Sequence, residues 1–327
     1  MIIKNIQPFI GQHCETTATG TLLNQLGIFL SEPMLFGLGE GLSYIVWNMK
    51  NMDIPFIGGR LKPDILTENL VRNLKLKLEV KETSSVSKAW SQVKEKLDRN
   101  IVVGLKLDCY HLEYFTNKFH FAAHYATLYG YDLHWAYLVD THQQGGKVKT
   151  SLESLALARN EKGPMSSRNR MYTITMDEKF CQPDKVVLQA MQRNAAEYLN
   201  PPIQNIGYKG IIKTAMEIKN WFRNEKMVPE FSTLALLMEK AGTGGALFRN
   251  LYRDFLKESY EMLGVKELEV VYQLFCEIAN QWTYVSSLFD EAGKSGNIRL
   301  IDQASEVLHN LATLEKDAMA IILKTGD

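Results

Sequence analysis

Along the first half of the chain, apolar positions cluster in short runs, whereas in the second half they step by three and four. YIVWNM (44–49), LEVKET (78–83), IVVGLKLD (101–108), HFAAHYATLYGYD (120–132), WAYLVD (135–140) and MYTITM (171–176) are rich in β-branched and aromatic residues. Gly, Asp, Asn or Lys bound them, so they are expected to be strands. Helical patterns are expected over 15–26, 64–75 and 85–98; in the last, Val86, Trp90, Val93 and Leu97 mark one buried face. From about Asp184 the β signal ends. Leu268, Val271, Phe275, Ile278, Trp282, Val285 and Phe289 form one apolar seam, and Ala304, Val307, Leu311, Leu314, Ala318 and Ile321 a second. AGKSGN (292–297) supplies the turn of an antiparallel helix pair. The pattern predicts an α+β domain over residues 1–178 and an all-helical bundle over 179–327.

Composition narrows the class. The 327 residues include 46% hydrophobic and 23% charged ones, the balance of a soluble globular chain of about two domains. Thirty-seven basic residues against 37 acidic ones give no general pull towards nucleic acid or an anionic membrane, so neither is an expected partner. Cys14, Cys109, Cys181 and Cys276 are widely spaced, without a CxxC pair, and read as reduced thiols. The first residues lack a signal-peptide pattern, and the charge-free stretch Thr16 to Ser31 is too polar to span a bilayer. The expectation is a cytoplasmic protein, with the long seams leaving room for an oligomer.

Candidate chemistry centres on Cys14, which directly precedes a helical stretch with Ala18, Leu22 and Leu26 on one stripe and Gly27 as C-cap. The unpaired N–H groups of a helix start favour a thiolate, the nucleophilic form of cysteine. His124 lies on an expected strand and Asp140 on its hairpin partner, which allows them to be neighbours. A carboxylate on one ring nitrogen would orient the other to take the thiol proton. No metal is expected: His120 and His124, four apart on a strand, would be roughly 13 Å from each other, and Cys109-Tyr-His111 lacks the paired spacing of a zinc site. Gly37-Leu-Gly39-Glu-Gly41 lacks dinucleotide-fingerprint spacing and reads as close backbone approach beside the Cys14 helix. Gly242, Thr243, Gly244 and Gly245, with Arg249 and Arg253 beyond them, read either as an anion-binding loop or as close helix packing.

GQHCETTATGTLLNQLGIFLSEPMLFGLGEGLSY (11–44) resembles the opening of the butirosin biosynthesis protein H family, with its His-Cys pair before a helix and its LSE-x-x-LFGLG-x-GL run. HFAAHYATLYGYD and the aspartate strand continue the likeness. IGYKGIIKTAMEIKNWF (206–222) and MEKAGTGGALFRNLYRDFLKE (238–258) resemble the family's helical companion domain. The resemblance implies a papain-like fold with an antiparallel sheet, with Cys14 as nucleophile, His124 as general base and Asp140 as orienting carboxylate. It implies acyl transfer from the phosphopantetheine thioester of an acyl carrier protein to a small-molecule amine in antibiotic biosynthesis, without a bound cofactor. A papain-like site also implies an oxyanion-donating glutamine ahead of the cysteine. Pro8 stands near that place, flanked by Gln7 and Gln12 as the candidates. Two alternatives stay open: a cysteine hydrolase (peptidase, amidase or thioesterase) and a non-catalytic binding protein on the same fold.

Overall fold

The structure, a computed structural model, describes residues 1–48, 54–163 and 165–326. In chain order its elements are α1 (Cys14–Asn24), α2 (Glu32–Leu38), β1 (Leu42–Trp47), β2 (Phe56–Arg60), α3 (Ile65–Asn73), β3 (Lys77–Lys81), α4 (Val86–Asp98), β4 (Val103–Leu107), β5 (His124–Tyr131), β6 (Trp135–Val139), β7 (Lys147–Ser151), α5 (Leu152–Asn160) and β8 (Met171–Thr175). Helices follow: α6 (Val187–Leu199), α7 (Gly207–Phe222), α8 (Glu230–Lys240), α9 (Arg249–Leu263), α10 (Lys266–Ser295) and α11 (Ile298–Lys324). The class is α+β with antiparallel sheets, followed by a helical region. Met49, the last residue of the expected strand 44–49, lies outside the described residues.

Two compact units divide the chain: residues 1–35 with 63–181, and residues 36–62 with 182–327. In the first, six antiparallel strands run in the order β3-β8-β4-β5-β6-β7. Val93 and Leu97 of α4 join Val103, Leu105, Leu107, Ala126, Leu128, Leu138 and Met171 in its core. Val86, expected on that face, is instead exposed and Trp90 only half-buried. The helix start there is set by Ser85, whose hydroxyl accepts from Lys88 N–H and leaves Val86 on the outer first turn.

Helix α1 departs further from its expected stripe. Glu15 through Leu23 are all buried, so the helix is enclosed on every side rather than amphipathic. Its threonines make this tolerable because each finds a partner: Thr21 Oγ1 donates to Thr17 O (2.9 Å), Thr17 Oγ1 accepts from Gly11 N–H (3.2 Å), and Thr19 bonds Thr67 (2.8 Å). Gly27 sits at φ +77°, and Ile28 N–H donates back to Leu23 O (3.1 Å), closing the C-terminus.

Strands β2 and β7 and helices α2 and α5 lay below the sequence signal. FIGGR carries two glycines, and KVKTS is a short edge strand with only one bulky apolar residue. Strand β5 starts at His124, not at 120, because Phe121 O accepts from Cys109 N–H (3.2 Å) and holds the preceding residues off the ladder.

In the second unit, the α10 seam is buried as expected from Leu268 to Phe289. Gly296 in the left-handed region ends α10, and Asn297 caps α11 by accepting from Arg299 N–H (3.1 Å). In the α11 seam Ala304, Leu311 and Ala318 are buried as expected, whereas Val307, Leu314 and Ile321 are only half-buried and Leu308, Glu315 and Ile322 are buried beside them. The reason is Glu315, a carboxylate that an apolar pattern skips. Its oxygens accept from Arg249 Nε and Nη2 (2.8 Å each), from Trp282 Nε1 (2.6 Å) and from the Tyr198 hydroxyl.

Candidate active site

Two interactions seat α1, one on the sheet and one on α3. Thr127 Oγ1 on β5 donates to Ala18 O (2.9 Å), and the Glu15 carboxylate accepts from both the N–H and the hydroxyl of Thr67 (3.1 Å). The helix start therefore faces the start of β5, bringing Cys14 to His124. Cys14 is half-buried and a free thiol. His124 Nε2 hydrogen-bonds Asp140 Oδ2 at 2.7 Å, and the Cys14 thiol is a further hydrogen-bonding neighbour of the same imidazole.

Asp140, fully buried just past β6, gathers more donors than the sequence suggested. The Tyr114 hydroxyl donates to Oδ2 (2.7 Å) and Thr141 N–H to Oδ1 (2.6 Å). Phe115 presents its ring edge-on to the imidazole, with centroids 5.2 Å apart. Burial alone disfavours an imidazolium, but the Asp140 charge, reinforced by the Asp140 hydrogen bond and by Cys14, outweighs it. The pKa of His124 is thus held well above the ordinary histidine range. Burial, then the Asp140 charge, raises the Tyr114 phenol well above its usual value, so this group stays a donor. Cys109 is a different thiol: burial pushes it up to about 12, which keeps it protonated and inert.

The LSE run explains how the residues before Cys14 are held. Ser31 Oγ accepts from Met34 N–H (3.1 Å) and caps α2. Glu32 then reaches back: its carboxylate accepts from Gln12 N–H (2.9 Å), His13 N–H (2.8 Å) and Thr16 Oγ1 (2.8 Å). Those two amides are therefore committed. Cys14 opens the helix, where an N–H has no intrahelical acceptor. Gln7 and Gln12 both have exposed side chains, and Gln7 O accepts from Gln25 Nε2 (3.3 Å). Glu32 was legible only as part of the run that carried the resemblance, while Tyr114 and Phe115 lie in a loop with no periodic signal.

Other expected features have different partners. Gly37 serves close approach, but to the ring of Phe255 on α9, which a Cβ would meet at 2.2 Å, rather than to the Cys14 helix. In the glycine loop, Gly242, Gly244 and Gly245 all take positive φ. Thr243 Oγ1 donates to Met238 O (2.8 Å) and accepts from Gly245 N–H (3.1 Å), while the Glu239 carboxylate takes Ala246 N–H (3.2 Å). Arg249 is fully buried on Glu315, with its guanidinium 4.8 Å from the Trp282 ring centroid. The Glu239 carboxylate thus already takes one amide beside this loop. His120 contacts Asp108 (3.2 Å). Among the described residues, no helix is long and apolar enough to cross a membrane.

Comparison with known families agrees with the motif reading. Residues 13–141 match the family described as butirosin biosynthesis protein H, N-terminal, and residues 153–322 match the family described as domain of unknown function, DUF4872. No curated protein matches the chain. The chain thus carries a butirosin biosynthesis protein H N-terminal domain over residues 13–141 and, through residues 153–322, belongs to the family described as domain of unknown function DUF4872.

Proposed function

We propose that the protein is a cytoplasmic cysteine acyltransferase of secondary metabolism, on a papain-like fold. It would move an acyl group from the phosphopantetheine thioester of an acyl carrier protein to a small-molecule amine. The observation that carries this reading is the 2.7 Å bond from His124 to Asp140, with the Cys14 thiol on the same imidazole. His124 takes the thiol proton, and the Cys14 sulfur attacks the thioester carbonyl. The carbon–sulfur bond to pantetheine breaks, the pantetheine thiol leaves with the proton from His124, and the acyl group rests on Cys14. An amine then attacks, His124 accepts its proton, and Cys14 departs as the amide forms. Asp140 keeps the imidazolium oriented throughout. The N–H of Cys14 is the backbone donor for the oxyanion, with Gln7 and Gln12 as side-chain candidates.

Intact-protein mass spectrometry with acyl-pantetheine thioesters and acylated carrier proteins tests the scheme. The expected result is one acyl adduct on Cys14, lost in Cys14→Ala and discharged as an amide when amines are added. Turnover unchanged in Cys14→Ala overturns it, and a water-only product with every amine makes the protein a hydrolase instead.

A further inference from the structure

A second cluster of chemically able side chains lies at the end of β4, and the Cys14 chemistry does not use it. Asp108 follows β4, His111 lies in the short turn after it, and His120 stands shortly before β5. One ligand atom from each of these residues lies within 4.8 Å of the others. Asp108 is buried: its Oδ1 accepts from Tyr110 N–H (2.9 Å) and faces His120 Nδ1 (3.2 Å), whereas its Oδ2 is buried and has no hydrogen-bond partner among the described residues. A buried carboxylate oxygen without a donor costs about 1–3 kcal/mol, and a cation is one way to relieve it. Glu161 Oε2 holds Nε2 of His111 at 2.6 Å, the carboxylate-on-imidazole support that orients metal-ligating histidines and raises their basicity. Tyr110 stacks on His120 at 4.2 Å between centroids and limits the orientations of that ring.

We propose that Asp108, His111 and His120 bind a divalent transition metal ion, zinc by donor chemistry. Two imidazoles and one carboxylate suit zinc, with a water in the remaining position. Ligands about 2 Å from zinc stand roughly 3.4 Å apart in a tetrahedron, so the cluster must contract modestly. His120, with its side chain 59% exposed, is the member free to move. The site is independent of acyl transfer. Its consequence is structural: the ion would tie together both ends of the 109–123 segment, which carries Tyr114 and Phe115 to Asp140 and His124.

Chelator-stripped full-length protein, titrated with zinc against a chromophoric chelator, provides the test. Expected are one zinc per chain in the parent and in Cys14→Ser, a zinc-dependent rise in melting temperature, and loss of both in His120→Ala and Asp108→Asn. Glu161→Gln should weaken binding about tenfold, as loss of an outer-shell carboxylate does. Replacing the exposed His134 by Ala should change nothing. Cobalt loaded in place of zinc should show no sulfur charge-transfer band. Binding that survives in His120→Ala, that disappears in Cys14→Ser, or that is absent from the parent overturns the proposal.

Discussion

One carboxyl oxygen, Asp140 Oδ2, receives both His124 Nε2 and the Tyr114 hydroxyl, so this residue couples charge to loop position. Because the folded pKa of His124 lies above its ordinary value of 6.5, the pair's stabilisation is complete below that value. It is lost as pH rises through the folded pKa. Asp140→Asn should therefore destabilise most near pH 6, by about 3 kcal/mol, the scale for breaking a buried pair. The penalty should shrink in alkali; urea unfolding at several pH values checks this, and a pH-independent penalty contradicts it. Tyr114→Phe removes one donor and should cost about 1 kcal/mol in the same assay. The placement of Cys14 at a helix start, and of His124 and Asp140 on a hairpin, was legible because both are local signals. The contacts of Tyr114 and Glu32 were not, since which loop hydroxyl or helix-start carboxylate turns inward depends on contacts 26 and 20 residues apart.

At the scale of one helix, α11 shows how a buried charge moves an apolar seam. Read from apolar residues alone, Val307, Leu314 and Ile321 belong to the core. The structure keeps Ala304, Leu311 and Ala318 inward but turns the edge of that stripe, so that Glu315 meets Arg249 and Trp282 and Leu308 and Ile322 are buried with it. Leu308→Ala should then cost about 3 kcal/mol, whereas Val307→Ala should cost less than about 1 kcal/mol. Chemical denaturation of the two variants separates the registers, and equal losses would return the seam to the apolar reading. The α10 seam needed no such correction because its inward positions are nearly all apolar, and the strands of the sheet were found wherever β-branched residues were dense. FIGGR and KVKTS escaped because glycine and lysine dilute that density in strands that are nonetheless paired.

On the scale of the whole chain, the sequence suggests a single cut near residue 178, while the compact units interleave: residues 36–62 pack with 182–327. A periodic pattern identifies a strand but not the core that covers it, because that choice is made by contacts more than a hundred residues away. Tyr44 of β1 is fully buried, bonds Thr214 (2.6 Å) and stacks on Trp282 at 5.6 Å; Leu42 O accepts from Asn194 Nδ2 (2.9 Å). Phe36 lies flat on Phe248 at 5.4 Å, and Arg249 Nη1 donates to Gly59 O (3.3 Å). A chain ending at Cys181 would keep every strand of the six-stranded sheet yet strip the cover from Phe36, Leu38, Leu42, Tyr44, Val46 and Ile57, all buried in the full protein. Those residues present a large apolar surface, the kind that drives association. The truncated chain should bind a hydrophobic dye strongly and elute as aggregate in size exclusion, whereas the full chain does neither. A monodisperse, dye-silent fragment would mean that β1 and β2 find their cover within the first 181 residues, and that the interleaving places no demand on folding.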